Sequence, residues 1–169
     1  MQFFLFRHAD KERSPTANPP LSQRGLKQAN ALAELIKKGE LPRPTLLHSS
    51  TKTRATQTLQ PLAHFLQQPI HGSDDLLERQ ASESTEDFLT RVKRVISQAE
   101  KKSQKQTRKD GTVEFYVTHY DWVEEFLSIV PSNTDLNSGQ YHAWSPCQFM
   151  HFEIKDGLWH LNTFRSISS

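Results

Sequence analysis

The sequence lacks several features that usually announce a function. It has one cysteine, Cys147, which excludes an intrachain disulfide and leaves no cysteine cluster for structural zinc. None of its eight histidines forms a His-x-x-x-His pair, so no metal and no other cofactor is expected. The formal net charge is only +2, too small a surplus to argue for a nucleic-acid partner. The one basic run, Lys101 to Lys109, has no interleaved aromatics and reads as a solvated helix end complementing the helix dipole. Long hydrophobic runs are missing as well. Phe3 to Phe6 is cut off by Arg7 and preceded by no basic segment, which is too short for a signal peptide or a membrane span. A soluble, cytoplasmic protein with no membrane partner is the expectation. With no internal repeat and no composition break, the 169 residues are expected to form one domain over 1–169.

What is present alternates between strand and helix signals. Residues 2–6 form a continuous apolar run, as in a strand buried on both faces. Residues 10–20 are polar and carry three prolines, which predicts a loop. Ser22 stands as an N-cap before a helical repeat of Leu26, Ala29, Leu32, Ala33, Leu35 and Ile36 that Gly39 stops. A short strand is predicted at 45–48, and a helix from about Thr51 to Gln67 with Pro61 inside it. A brief strand at 69–71, a loop over 74–84, a helix from Glu86 to about Lys105 and a strand at 113–118 follow. A helix from Asp121 to Val130 and a turn-rich stretch at 131–145 come next. The chain closes on two strands joined at Asp156-Gly157, a hairpin signal. Alternating strands and helices imply parallel crossovers. The expected fold is α/β: a three-layer sandwich with a mostly parallel central sheet, helices on both faces and a C-terminal β-hairpin.

In such sheets, ligand sites lie at the carboxyl ends of the strands. Arg7 and His8 end the first strand, His119 ends the strand at 113–118, and Arg54 falls in the first turn of the helix after the second strand. All four can converge on one rim. Two guanidiniums, each a planar fork of donors that stays ionised, suit a phosphate. The other six histidines, His48, His64, His71, His142, His151 and His160, read as structural or surface residues.

Four segments, in order, carry a resemblance: Arg7-His8-Ala9; Leu21-Ser22 with Gly25 and Gln28-Ala29; Ser49 to Thr58; and Val117-Thr118-His119. Together they are similar to the signatures of the histidine phosphatase superfamily, which contains phosphoglycerate mutases, acid phosphatases and small phosphohistidine phosphatases. The resemblance implies a metal-independent phosphatase. In it His8 attacks phosphorus and forms a covalent phosphohistidine, while Arg7, Arg54 and His119 bind the phosphoryl oxygens. Neutral imidazole is the competent form, so a hydrogen bond donated by its other ring nitrogen to a backbone carbonyl is expected to orient His8.

Leu77-Glu78-Arg79 resembles the segment that supplies the general acid in the mutase-like branch, although the glycine usual after that glutamate is absent. Asp121 is the competing acid, by analogy with the acid-phosphatase branch, and serves equally as a helix N-cap. Arg79 is a candidate substrate contact or a surface ion-pair partner. Tyr120 stands where the family commonly has glycine, and could narrow the mouth, touch substrate or point away. The implied partners are a phosphorylated small molecule or a phosphohistidine-bearing protein, acted on by a monomer or weak dimer. Two alternatives stay open: a non-catalytic phospho-ligand-binding module, and a mutase, which the short connection from Thr58 to Leu76 disfavours.

Overall fold

A computed structural model describes residues 1–105 and 111–167. Six strands form one sheet: β1 (Gln2–Arg7), β2 (Leu46–Ser50), β3 (Ile70–Ser73), β4 (Val113–Thr118), β5 (Gln148–Lys155) and β6 (Leu158–Ser166). Their order is β3-β2-β4-β1-β5-β6. The first four strands in that order pair in parallel; β5 and β6 add antiparallel at the β1 side. Four helices connect them: α1 (Gln23–Lys37), α2 (Thr53–Leu66), α3 (Thr85–Lys105) and α4 (Tyr120–Ile129).

The apolar run at the N-terminus is explained by burial on both faces. Phe3 and Leu5 pack with Phe88, Val92, Trp122 and Phe126 of α3 and α4, while Phe4 and Phe6 pack with Leu32, Leu59 and Leu62 of α1 and α2. Successive residues of a strand point to opposite faces, so both layers require apolar side chains here. The result is the expected sandwich. The hairpin turn places Asp156 at φ 51° and Gly157 at φ 76°, the positive values that a two-residue turn matched to strand twist demands.

Several boundaries differ from expectation. β2 runs on to Ser50, so α2 starts at Thr53 rather than Thr51. β3 begins one residue after Pro69 and extends to Ser73. α4 starts at Tyr120 with His119 as its N-cap, so Asp121 is inside the first turn and is not the cap. The stretch 74–84 holds a 3₁₀ turn at Asp74–Leu76, and 131–145 another at Gly139–Tyr141. Pro61 is accommodated within α2. Of the basic run at 101–109, residues 106–109 lie outside the described residues, and Lys102 pairs with the buried Glu114 at 2.8 Å. Among the described residues no helix is long and apolar enough to cross a membrane.

The start of α1 is locked to the loop after β1. Ser22 caps α1 through Gly25 N–H at 3.1 Å and donates its hydroxyl to Asp10 Oδ2 at 2.5 Å. Ser22 N–H also meets the Asp10 carbonyl at 3.0 Å. A Cβ at Gly25 would stand 1.9 Å from that carbonyl oxygen, so the close approach requires glycine. Gly25→Ala should therefore push α1 and the Asp10 loop apart and destabilise the fold by about 2 kcal/mol or more. Urea titration measures this, and an unchanged midpoint would contradict it.

Candidate active site

β1, β2 and β4 run parallel, with Arg7 beside Thr118 and Val117 beside Ser49 in the register, so their carboxyl ends share one rim. His8 and His119 follow directly, and their rings lie with centroids 5.3 Å apart. Arg54, the second residue of α2, reaches between them. Its Nε donates to His8 Nε2 at 3.2 Å, and its Nη2 donates to His119 Nδ1 at 3.1 Å and to Glu78 Oε1 at 2.9 Å. His8, Arg54 and His119 are all buried.

These contacts fix the protonation of both rings. A guanidinium can only donate, so His8 Nε2 and His119 Nδ1 must each present a lone pair. His8 Nδ1 then carries the proton and donates to the Ala9 carbonyl at 2.7 Å, the backbone orientation expected from sequence. His119 carries its proton on Nε2, which lies 2.7 Å from Ser50 Oγ and 3.1 Å from Glu78 Oε2. Ser50 is the better-aligned acceptor, because among the described residues the buried Glu78 Oε2 has no hydrogen bond. Burial, reinforced by the nearby guanidiniums, lowers the pKa of His8 to about 4 and that of His119 further. Both imidazoles are neutral at physiological pH.

The backbone around His8 is pinned from all sides. Its N–H donates to the Thr118 carbonyl at 2.9 Å, and its own carbonyl accepts from Cys147 N–H at 3.1 Å. Ala9 N–H donates to Thr58 Oγ1 at 3.0 Å, and that hydroxyl donates to the Arg54 carbonyl at 2.8 Å. Asp10 N–H donates to Gln28 Oε1 at 2.8 Å. Thr58 and Gln28 thus tie the loop after β1 to α2 and α1. Sequence reasoning quoted both as motif members without finding that role.

Arg7 donates to the Trp144 carbonyl and lies 5.3 Å from the centroid of the Tyr120 ring. Among the described residues its buried Nε has no partner, and burial lowers its pKa. Tyr120 therefore stacks on a site guanidinium, a cation–π contact. Arg79 is exposed and binds the Glu83 carbonyl at 3.4 Å and Thr85 Oγ1 at 2.9 Å, so its side chain braces its own loop. Of the two readings left open for it, substrate contact or surface ion pair, neither describes these contacts, which are to a carbonyl and a hydroxyl of its own loop. Asp121 spends both carboxylate oxygens on backbone N–H groups, those of Arg79 and Trp122 at 2.8 Å each. Glu78, by contrast, faces the histidine pair.

Sequence reasoning assigned no contact to Ser50, to the Trp144 carbonyl or to Lys52, whose Nζ lies 3.6 Å from Glu78 Oε1. Ser50 was legible as part of a motif. A backbone carbonyl such as that of Trp144 leaves no sequence signal. Among the described residues no set of three or more His, Cys, Asp or Glu side chains is gathered as metal donors.

The burial of two neutral histidines has a consequence for folding. Their folded pKa values lie below the 6.5 of an exposed histidine, so below pH 6.5 the unfolded chain binds more protons. Stability should fall as pH drops from 7 towards 4, by about 1 kcal/mol per pH unit for each histidine. Urea titrations at several pH values should show a shallower decline in His119→Asn than in wild type. Equal slopes would contradict the assignment.

Residues 3–83 match the histidine phosphatase superfamily (branch 1). No curated protein matches the sequence. The protein histidine phosphatase SixA complexed with tungstate is similar in fold at 16% identity and TM-score 0.74, over 98% of this chain and 97% of that one. The alpha-ribazole phosphatase from Shigella flexneri is similar at 18% identity and TM-score 0.75, over 99% and 98%. A mutant phosphoserine phosphatase from Entamoeba histolytica in complex with phosphoserine is similar at 15% identity and TM-score 0.71, over 98% and 97%. At these identities the likeness is one of fold.

Proposed function

We propose that the chain is a histidine phosphatase, a reading supported by the match of residues 3–83 to that superfamily, and that it hydrolyses a phosphomonoester or a protein phosphohistidine through a covalent phosphohistidine on His8, without a metal ion. The observation that carries this reading is the state of His8: its Nδ1 proton is held by the Ala9 carbonyl, which leaves the Nε2 lone pair facing Arg54 and His119.

In the first step Nε2 attacks phosphorus and the bond to the leaving oxygen breaks. Glu78, arriving protonated, gives that oxygen its proton. In the second step water attacks the phosphohistidine, the P–N bond breaks back to the His8 imidazole, and the Glu78 carboxylate takes the proton of the water. Throughout, Arg54, Arg7 and the Nε2–H of His119 meet the phosphoryl oxygens, so charge develops against fixed donors in a buried site. An incoming phosphoryl group takes over the Arg54 donors that now rest on His8 and Glu78, and the His119 Nε2–H that now rests on Ser50. The buried and unpartnered Arg7 Nε supplies a further donor, and Glu78 Oε2 is an acceptor left open beside it all.

Glu78 is preferred to Asp121 as the acid because Asp121 is bound to two backbone N–H groups while Glu78 contacts Arg54 and lies near His119. Residues 67–84 hold only β3 and one 3₁₀ turn, which leaves no helical cap of the kind a mutase would need. A phosphorylated small molecule and a phosphohistidine-bearing protein both fit this reading, and the second asks less of the acid because its leaving group is an imidazole.

Hydrolysis of 4-nitrophenyl phosphate in excess chelator tests the proposal. Wild type should turn over, His8→Ala should reduce turnover to background, and Arg54→Ala should lower it by about a hundredfold or more. Chelator-sensitive turnover, or activity that survives His8→Ala, would overturn it.

A further inference from the structure

Glu78 sits on a segment with no regular secondary structure, which raises the question of what holds its carboxyl at the histidine pair. One side chain of α3 answers it. Arg91 Nη1 donates to the carbonyls of Asp74, Asp75 and Leu77 at 3.0, 3.2 and 3.1 Å, and its Nη2 reaches the Glu78 carbonyl at 3.4 Å. The same guanidinium forks onto the Glu83 carboxylate, Nε to Oε1 at 2.6 Å and Nη2 to Oε2 at 2.7 Å. Glu83 in turn accepts Gln80 N–H at 3.1 Å, so the carboxylate closes the loop that Glu78 opens.

No carbonyl from 74 to 78 is left without a donor. Trp122 Nε1 adds a bond to the Asp75 carbonyl at 2.7 Å, Thr118 Oγ1 takes that of Leu76 at 2.7 Å, and Gln80 Nε2 takes that of Glu78 at 2.6 Å. A segment of this kind, with its carbonyls turned inward, is stable only while those donors are in place. Arg91 is the member of the set that touches both sides of Glu78. Phe88, Val92 and Val95 anchor its helix to the sheet, and the Arg91 guanidinium lies 5.1 Å from the Phe88 ring centroid.

Resting on the proposed role of Glu78, we infer that Arg91 is a positioning residue: through the backbone of residues 74–78 and the Glu83 carboxylate it holds Glu78 at the distance needed to protonate a leaving group. It touches neither substrate nor the phosphoryl group. Lysine cannot replace it, since an ammonium lacks the planar fork that spans four carbonyls and a carboxylate at once. Its effect should consequently appear where the acid is needed, and hardly at all where the leaving group departs unaided.

The test compares kcat/KM for 4-nitrophenyl phosphate, whose leaving group needs little protonation, with that for an alkyl phosphate such as glycerol 2-phosphate, whose alkoxide needs it. The variants are Glu78→Gln, Arg91→Lys and Glu83→Gln, each checked for wild-type thermal stability and circular dichroism. Glu78→Gln should lower alkyl phosphate turnover by about a hundredfold and the aryl phosphate by less than about fivefold. Arg91→Lys should reproduce the same skew at about tenfold or more, with Glu83→Gln in the same direction. If Glu78→Gln shows the skew but Arg91→Lys and Glu83→Gln lower both substrates in parallel or neither, the positioning role is overturned and the role of Glu78 stands. If Glu78→Gln itself shows no skew, the acid assignment fails and this inference fails with it.

Discussion

One guanidinium organises this site. Arg54 donates simultaneously to His8, His119 and Glu78, and because it can only donate it dictates which nitrogen of each imidazole bears a proton. The two rings come from neighbouring parallel strands, where two imidazoles brought together in a dry environment have no reason to adopt complementary tautomers on their own. Arg54 supplies that reason. The two rings end up as opposite tautomers: His8 turns its Nε2 lone pair to Arg54 and its Nδ1–H to the Ala9 carbonyl, whereas His119 turns its Nδ1 lone pair to Arg54 and its Nε2–H to Ser50.

Holding a single arginine in that place requires the rest of the fold. Arg54 lies in the first turn of α2, its carbonyl is bound by Thr58, and Thr58 simultaneously accepts Ala9 N–H. The loop that carries His8 and the helix that carries Arg54 are therefore tied together through one hydroxyl. On the other side, the carbonyls of residues 74–78 are tied down by donors from α3, α4 and β4, and this brings Glu78 against Arg54 from above. The open sheet itself contributes only the rim; hydrogen bonds between the loops convert that rim into a site.

Much of this could be read from the sequence, and the reasons are physical. Strands buried on both faces must be apolar throughout, which exposes β1 and β4, and residues that end such strands are aimed at the rim by topology alone. Arg7, His8 and His119 were legible on those grounds, and Arg54 because a helix start follows β2. Ser22 and the Asp156-Gly157 turn were legible because capping and positive φ demand particular residue types. What escaped depends on contacts between distant segments. Glu114 is a buried carboxylate in an otherwise apolar strand, and only the fold brings His48, Lys102 and Tyr116 to it at 3.0, 2.8 and 2.6 Å. Tyr120 stacks on Arg7, an outcome left undecided from sequence because it depends on how the end of β1 and the start of α4 meet in space. Asp121 was expected as the cap of α4, but the helix begins one residue earlier and leaves its carboxylate to bind the loop of Arg79.

The central claim is that phosphorus is attacked twice, first by His8 and then by water. Each in-line displacement inverts the configuration at phosphorus, so two restore it. Reaction of a phosphomonoester made chiral with oxygen isotopes, with an alcohol taking the place of water in the second displacement so that the configuration is read on the new monoester, tests this directly. The account predicts net retention. Net inversion would mean that the nucleophile in a single displacement comes from solution, and that His8 never carries the phosphoryl group.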